Sequence, residues 1–359
     1  MSYSLRQLPQ CEVINIEKGK GMTGPKTKMV AGMNGLGRFG LNLLWQWMSD
    51  PGAPYTIGFM NDEVLTPGEI YRSIIADPIL TGFEGYEIKL RGNVLVVQRK
   101  GKVIGRIIIT TGSADCADWL GKPDLFLECS GRRHDSSLCE PFLIENTRTV
   151  IISATSLNAD GTFLAGFNHE EFRADAHRII SYGSCTVNPG VVLSTFVDEA
   201  FGIEECLVNV IHGVPQWQLN AGLRRTLRRN ECTLEVMGPK FVPALRQDNF
   251  KVNYTYVPWV GPSIIDFAFR VRTAPTRKQA VAALRSAIKP SGKLAGLIGM
   301  IPKDTGPETH FRSHFSAVII ESDVEMRGDT LHLFCYFNNE GSASRFHDLT
   351  CHVTRQLAK

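Results

Sequence analysis

Short apolar runs alternate with longer amphipathic stretches through the first half of the chain. Runs at 28–33, 56–60, 125–129, 149–153 and 179–182 are rich in Val, Ile, Leu, Met and Phe and are bounded by Gly, Asn or Asp. Runs of that length and character predict strands, and those buried on both faces of a parallel sheet are continuously apolar. Between them, 41–48, 65–76 and 136–145 carry helical spacing, and Val191, Val192 and Thr195 start another helix. Three further strand-like runs, at 86–90, 93–98 and 102–111, are separated by Arg91-Gly92-Asn93 and Lys100-Gly101-Lys102, which are turn signals. Strand and helix patterns alternate from 28 to 184, which predicts an α/β, doubly wound sheet.

The pattern changes after 185. Runs at 205–212, 264–272, 315–321 and 330–337 read as long strands with few helices between them. Thr276-Arg277-Lys278-Gln279 is a capping box opening a helix to Ile288, and 344–358 has helical spacing. The stretch 213–237 reads as irregular and holds Arg224, Arg225, Arg228 and Arg229. Long strands with few helices predict an α+β unit with a mostly antiparallel sheet.

Composition narrows the class of protein. Hydrophobic content of 43% is that of a globular core, and a net charge of +3 calls for neither nucleic acid nor an anionic membrane. No apolar run approaches the roughly 18 residues of a membrane span. Nine cysteines without a paired C-x-x-C suit a reducing, cytoplasmic setting, with no disulfide framework and no metal site expected. Residues 1–28 read as a polar extension, with five Lys/Arg against Glu12 and Glu17 and no secretory apolar region.

Two motifs carry chemistry. After the first strand comes Asn34-Gly35-Leu36-Gly37-Arg38-Phe39-Gly40, a G-x-G-x-x-G opening a helix. In a Rossmann-type unit the first glycine makes the turn, the second lets the backbone reach a pyrophosphate, and the third lets helix and strand approach. The second strand ends in Asn61-Asp62, placing an acid where it accepts hydrogen bonds from an adenosine ribose and repels a 2′-phosphate. The expected cofactor is NAD rather than NADP. Further on, Ile179 to Tyr182 stops at Gly183, and Ser184-Cys185-Thr186 leads into a helix. A cysteine at a helix N-terminus is favoured as thiolate, although most lone cysteines are structural.

The chain resembles the glyceraldehyde-3-phosphate dehydrogenase family, on motifs spread from about Lys28 to the C-terminus. N-G-L-G-R-F-G at 34–40 and Asn61-Asp62 look like its cofactor turn and ribose acid. Glu128-Cys129-Ser130-Gly131, Ile152-Ser153-Ala154 and Gly166-Phe167-Asn168-His169 are similar to E-C-T-G, I-S-A and G-V-N-H. Ser184-Cys185-Thr186-Val187-Asn188 is similar to the nucleophile motif S-C-T-T-N, and His212 follows Cys185 at the family's spacing. F-A-F-R-V-R-T, with Arg270, resembles M-A-F-R-V-P-T, and Asn338-Asn339-Glu340 resembles D-N-E.

The resemblance implies roles. Cys185 is the nucleophile that forms a thioester, and His212 is its base and ion-pair partner. Ser130, Gly131, Ser153 and Asn339 join the glycine turn in holding NAD, with Asn339 on the nicotinamide carboxamide. Ser184, Thr186 and Arg270 bind anionic groups of the substrate. It also implies three regions: an extension at 1–28, a dinucleotide-binding domain at 29–184 plus 340–359, and a catalytic domain at 185–339. A homotetramer is expected.

The departures lie at the anion sites. The family's H-A-Y-T-A-T-Q is here His212-Gly213-Val214-Pro215-Gln216-Trp217-Gln218, so both threonines are lost, one to Pro and one to Trp. The S-T-G loop has no evident counterpart between Gln218 and Arg270, and the aromatics after D-N-E are replaced by Gly341, Ser342 and Ala343. A buried phosphate needs several charge-assisted donors, so a triose phosphate would bind poorly. Trp217 covers a flatter substrate or sits in an interface. The arginine cluster replaces the missing donors, engages a larger anion, or is a solvated face. The expected function is an NAD-dependent aldehyde dehydrogenase with an altered aldehyde or acyl substrate. The alternatives are a true phosphorylating enzyme with rebuilt anion sites, a non-catalytic NAD-binding paralogue, and a peroxide-reactive sensor thiol.

Overall fold

The computed structural model describes residues 28–77, 83–222 and 224–359, with the side chains of 339 and 340 outside the description. The expected extension lies outside it apart from Lys28.

The first sheet contains β1 (Met29–Asn34), β2 (Tyr55–Asp62), β3 (Tyr86–Arg91), β4 (Val94–Arg99), β5 (Lys102–Thr111), β6 (Leu125–Glu128), β7 (Thr149–Ile152), β8 (Gly161–Thr162) and β9 (Ile179–Ser181). Their order is β3-β4-β5-β2-β1-β6-β7-β9-β8. Every pair from β5 to β8 along this order is parallel, and only β3–β4 and β4–β5 are antiparallel. The chain leaves β1 towards β2 on one side and returns through β6 on the other. That reversal opens a crevice at the carboxyl ends of β1 and β6, where open α/β sheets bind ligands.

The second sheet contains β10 (Ile203–Val214), β11 (Phe250–Pro258), β12 (Ser263–Val271), β13 (Ile298–Ile301), β14 (Ala317–Ile320), β15 (Glu325–Arg327) and β16 (Thr330–Phe337). Its order is β11-β10-β12-β16-β14-β13, with β15 on β16. It is mostly antiparallel, although β10–β11 and β13–β14 are parallel. The fold is thus a Rossmann-type α/β sheet with a mostly antiparallel α+β sheet beside it, as the strand patterns predict.

The helices are α1 (Arg38–Ser49), α2 (Pro67–Ile75), α3 (Val187–Phe201), α4 (Gln216–Asn220), α5 (Thr233–Phe241), α6 (Arg277–Ile288) and α7 (Asn339–Leu357). The capping boxes Thr66/Glu69 and Thr276/Gln279 start α2 and α6. Helix α7 buries Phe346, Leu349, Val353 and Leu357 in one core with α1 and the first sheet, whereas α3 packs in the core of the second. Cys185 therefore lies where the chain passes from one core to the other.

The expected helix at 136–145 is instead two 3-10 turns, Ser136–Leu138 and Glu140–Phe142. Asp135 caps Ser137, Ser136 is tied to Asn158, and Pro141 brings no N–H to carry a helix through. Strands β11 and β13 and helix α5 are not among the elements expected above.

Candidate active site

The dinucleotide crevice is built from strand ends. Gly35 has φ of +94°, and a Cβ there would sit 2.5 Å from the Ser130 backbone. A Cβ on Gly40 would sit 2.0 Å from the Gly35 carbonyl oxygen, so only glycine lets α1 begin this close to β1. Gly37, the N-cap of α1, has ordinary φ, and a Cβ there would meet nothing within 4 Å. Neither backbone strain nor a protein neighbour calls for glycine at 37. The turn, the start of α1 and the crevice together fit a dinucleotide.

Behind the turn, buried polar side chains fix the strand ends. Asn34 donates to Glu128 at 2.8 Å and accepts from Asn61 at 3.0 Å, and Thr110 donates to Asn61 at 2.9 Å. Glu128 also accepts from the Ser130 backbone at 2.7 Å and from its hydroxyl. Burial raises the Glu128 carboxyl pKa, and these donors oppose the rise. The Asn34 and Asn61 amides are thus tied into the scaffold behind the turn. Asp62 accepts from the N–H groups of Leu36, Val64 and Leu65 at 2.8, 2.9 and 2.9 Å. A carboxylate has about four acceptor positions, so one remains for a ribose hydroxyl. Arg38 pairs with Asp77, and Phe39 packs edge-on against Tyr182 and Phe346, so its ring is core rather than pocket wall. Gly131, at φ +69°, turns the chain after β6, and the Ser153 N–H donates to the Glu128 carbonyl at 2.8 Å. Asn339 opens α7, with its side chain outside the described residues.

The second set of residues surrounds a thiol. Cys185 Sγ is 3.6 Å from His212 Nε2. The His212 Nδ1 lies 2.9 Å from the Gly213 carbonyl oxygen. A carbonyl only accepts, so Nδ1 holds the proton and the Nε2 lone pair faces the thiol. Both side chains are half-buried. Burial pushes the Cys185 thiol up to about 12, with Cys232 adding to the rise. Burial lowers His212 to about 4, and Arg224 lowers it further. Burial thus disfavours the charged form of each partner and works against the ion pair that the resemblance implies.

Around His212 stand three rings, those of Tyr254, Tyr256 and Phe337, at centroid distances of 5.9, 5.8 and 5.6 Å. The sheet register makes this box: β11 runs parallel to β10 with Tyr256 opposite His212, and Phe337 ends β16 opposite Ser263. Ser263 accepts the Gly213 N–H at 3.0 Å. The guanidinium of Arg224 lies over Tyr256, 5.2 Å from the ring centre. Its charge favours the Cys185 thiolate as well as disfavouring the imidazolium.

Ser184 and Thr186 are beside Cys185, their hydroxyls 3.2 Å apart. Thr233, at the start of α5, brings a third hydroxyl 2.9 Å from that of Ser184. The segment 230–233 therefore supplies a hydroxyl where no counterpart to the S-T-G loop is evident in sequence. Arg270 does not join this set. It sits at the opposite end of β12 from Ser263, across from Glu205 in the register, and its guanidinium pairs with Glu204 and Glu205. Trp217 is on the short α4 and is 60% exposed. Of the arginine cluster, Arg229 is held by Glu235 at 2.7 Å, while Arg224 is the member over the site.

Comparison with known proteins agrees with the architecture. No family model matches the chain. Glyceraldehyde-3-phosphate dehydrogenase 1 of Bacillus cereus is 25% identical over 335 residues, covering 90% of this chain and 98% of that protein. The Geobacillus stearothermophilus enzyme of the same name is 26% identical over 338 residues, 90% of this chain and 97% of its own. That of Kitasatospora aureofaciens is 28% identical over 280 residues, 74% and 81% respectively. The chain is thus similar along nearly its whole length to glyceraldehyde-3-phosphate dehydrogenases, and its two-sheet α/β framework agrees with that distant resemblance.

Proposed function

We propose that the chain is an NAD-dependent dehydrogenase of the glyceraldehyde-3-phosphate dehydrogenase type that oxidises an aldehyde through a thioester on Cys185, with a substrate other than glyceraldehyde 3-phosphate. The observation that carries this reading is the Cys185–His212 pair at 3.6 Å, with the imidazole in the tautomer that accepts the thiol proton. The Cys185 sulfur attacks the carbonyl carbon, a C–S bond forms and the C=O π bond opens. The thiol proton passes through His212 Nε2 to the new alkoxide oxygen. Bound NAD⁺ would supply the hydride acceptor for the C–H bond of that adduct. As that bond breaks, His212 takes the hydroxyl proton and the C=O bond re-forms, leaving the acyl group on sulfur. The Cys185 backbone N–H, on the helix-terminal turn, and the imidazole are the donors suited to the oxyanion. An acceptor nucleophile then attacks the acyl carbon and the C–S bond breaks.

The altered substrate is supported by the site's polarity. Pro215 and Trp217 bring none of the hydroxyl donors of the family's motif, and Tyr254, Tyr256 and Phe337 make the wall around the base aromatic. A phosphorylating enzyme with rebuilt anion sites is the second reading. It is favoured by the hydroxyl set Ser184, Thr186 and Thr233 and by the Arg224 cation. Association of copies, with a homotetramer implied by the resemblance, is supported by the outward side chains of β10, where Leu207 and Ile211 are 38% and 39% exposed.

The test is a first-turnover measurement of NADH with a panel of phosphorylated and unphosphorylated aldehydes, with and without inorganic phosphate. A burst that disappears in Cys185→Ala supports the thioester route, and phosphate dependence of later turnovers identifies the acceptor. Preference for glyceraldehyde 3-phosphate would favour the second reading. Normal NAD⁺ binding with no burst from any aldehyde, and no NADH oxidation by acyl phosphates, would refute both.

A further inference from the structure

We propose that Asp50, His347 and Cys351 form a Zn²⁺-binding site that ties the C-terminus of α1 to α7. The three residues offer one carboxylate, one imidazole and one thiol, with ligand atoms all within 4.8 Å of one another. His347 Nε2 lies 3.1 Å from Asp50 Oδ2 and 3.6 Å from Cys351 Sγ. A tetrahedral Zn²⁺ with ordinary bond lengths holds N and O ligands roughly 3.4 Å apart and N and S ligands roughly 3.6 Å apart. The separations present without an ion are already close to those values.

Hydrogen bonding alone leaves this cluster poorly satisfied. Nε2 carries at most one proton. If it donates to Asp50, it has no lone pair for the Cys351 S–H; if it accepts from the thiol, it offers Asp50 no proton. A cation at the centre engages all three atoms at once. Each oxygen or nitrogen ligand also has an orienting partner on its far side. The Gly52 N–H donates to Asp50 Oδ1 at 2.8 Å, and the Tyr55 hydroxyl lies 2.8 Å from His347 Nδ1. Metal-bound histidines commonly have such a partner on the second ring nitrogen. The hydroxyl can donate to Nδ1 when Nε2 is protonated and accept from Nδ1–H when Nε2 binds metal.

Access and charge are also suitable. His347 and Cys351 are 6% and 5% exposed, whereas the Asp50 side chain is 41% exposed and leaves an entry from solvent. Water from that side completes four ligands. On binding, the Cys351 S–H bond breaks, its proton leaves to solvent, and an S–Zn bond forms. Carboxylate and thiolate then neutralise the ion. The mixed S, N and O set suits Zn²⁺ over Mg²⁺ or Ca²⁺, which prefer all-oxygen shells. His347 and Cys351 stand one turn apart on α7, and Asp50 caps α1, so the ion would pin two helices packed in one core.

The test is titration of the full-length protein, stripped with a chelator, with Co²⁺ as a spectroscopic probe. The expected result is one Co²⁺ per chain with a thiolate-to-metal absorption band, displaced by Zn²⁺. The band is retained in Cys185→Ser and lost in Cys351→Ser. Tyr55→Phe should weaken the affinity about 10- to 100-fold, as loss of an orienting partner does. Absence of the band in the wild type overturns the proposal, as does a band lost in Cys185→Ser and retained in Cys351→Ser. If circular dichroism shows that Cys351→Ser does not fold, Asp50→Asn decides, since it changes a partly exposed oxygen. A weakening of tenfold or more supports the site, and unchanged affinity overturns it.

Discussion

Arg224 and Arg270 provide a direct test of which cation serves the thiol. The guanidinium of Arg224 is 5.2 Å from the Tyr256 ring centre, which is 5.8 Å from that of His212. It therefore lies at most about 11 Å from the imidazole centre. At that distance, with an effective dielectric of 20 to 40, a cation attracts a unit negative charge by roughly 0.8–1.5 kcal/mol. Because Arg224 is exposed, the lower half of that range applies, and the effect on a rate is about four- to sevenfold at low salt. Arg270 is seven residues along β12 from Ser263, roughly 24 Å at the rise of an extended strand. At that distance, in the dielectric of water, even an unscreened charge acts by only about 0.2 kcal/mol. The assay is alkylation of Cys185, comparing anionic iodoacetate with neutral iodoacetamide in the wild type, Arg224→Ala and Arg270→Ala. The iodoacetate-to-iodoacetamide rate ratio should fall about four- to sevenfold in Arg224→Ala and stay within experimental error in Arg270→Ala. A fall in the Arg270 variant with none in the Arg224 variant would refute the register argument and restore Arg270 to the site. Using the ratio cancels changes in thiol ionisation that affect both reagents.

Other expectations follow from the same geometry. His212→Asn removes the acceptor of the thiol proton and should lower the NADH burst rate about 10²- to 10⁴-fold with NAD⁺ affinity unchanged, measured by stopped flow. Gly40→Ala places a carbon 2.0 Å from the Gly35 carbonyl, so α1 must shift; thermal melting should show destabilisation and titration should show lost NAD⁺ affinity, whereas Gly37→Ala meets no protein atom and should impair NAD⁺ affinity alone. Below pH 6.5 the unfolded histidine binds a proton that folded His212 refuses until about 4, so stability falls across that window as pH falls. Above about 8.5 the unfolded thiol loses a proton that folded Cys185 keeps until about 12, so stability also falls in alkali. Denaturant melts of His212→Gln and Cys185→Ala should flatten the acid and alkaline limbs respectively.

The centre of the first sheet was legible because β6, β7 and β9 are buried on both faces and the helices α1 and α2 are bounded by Gly, Pro and capping residues. The Cys185–His212 pair was legible through the family resemblance: a turn glycine and a helix start single out Cys185, but a histidine at a strand end carries no signal of its own. The helix expected at 136–145 failed because apolar spacing is blind to Pro141 and to the bonds that Asp135 and Asn158 offer the backbone. Strand β11 had a signal of its own: Phe250, Val252 and Tyr254 are buried and alternate with exposed Lys251 and Asn253, a period of two that marks a strand with one face on a core. Had that strand been assigned, Tyr254 and Tyr256 would have been candidates for the wall opposite the base.

Arg270 shows why a short match fails where a long one succeeds. F-A-F-R-V-R-T is an alternating strand sequence, and any exposed position on such a strand tolerates an arginine. The motif specifies a strand with an outward cation but not which end of that strand faces the site. In the structure the end is set by pairing: Ile264 lies opposite Ile211, next to His212, which sends Arg270 to Glu205 at the far edge of the sheet. The same limit applies more strongly to Asp50, His347 and Cys351. Nearly 300 residues separate the first from the other two, and only the packing of α7 on α1 brings them together. Local spacing reveals ligands that share one turn or one hairpin. It reveals His347 and Cys351 as neighbours on a helix face, but the carboxylate that would turn that pair into a metal site is visible only once the two helices are folded against each other.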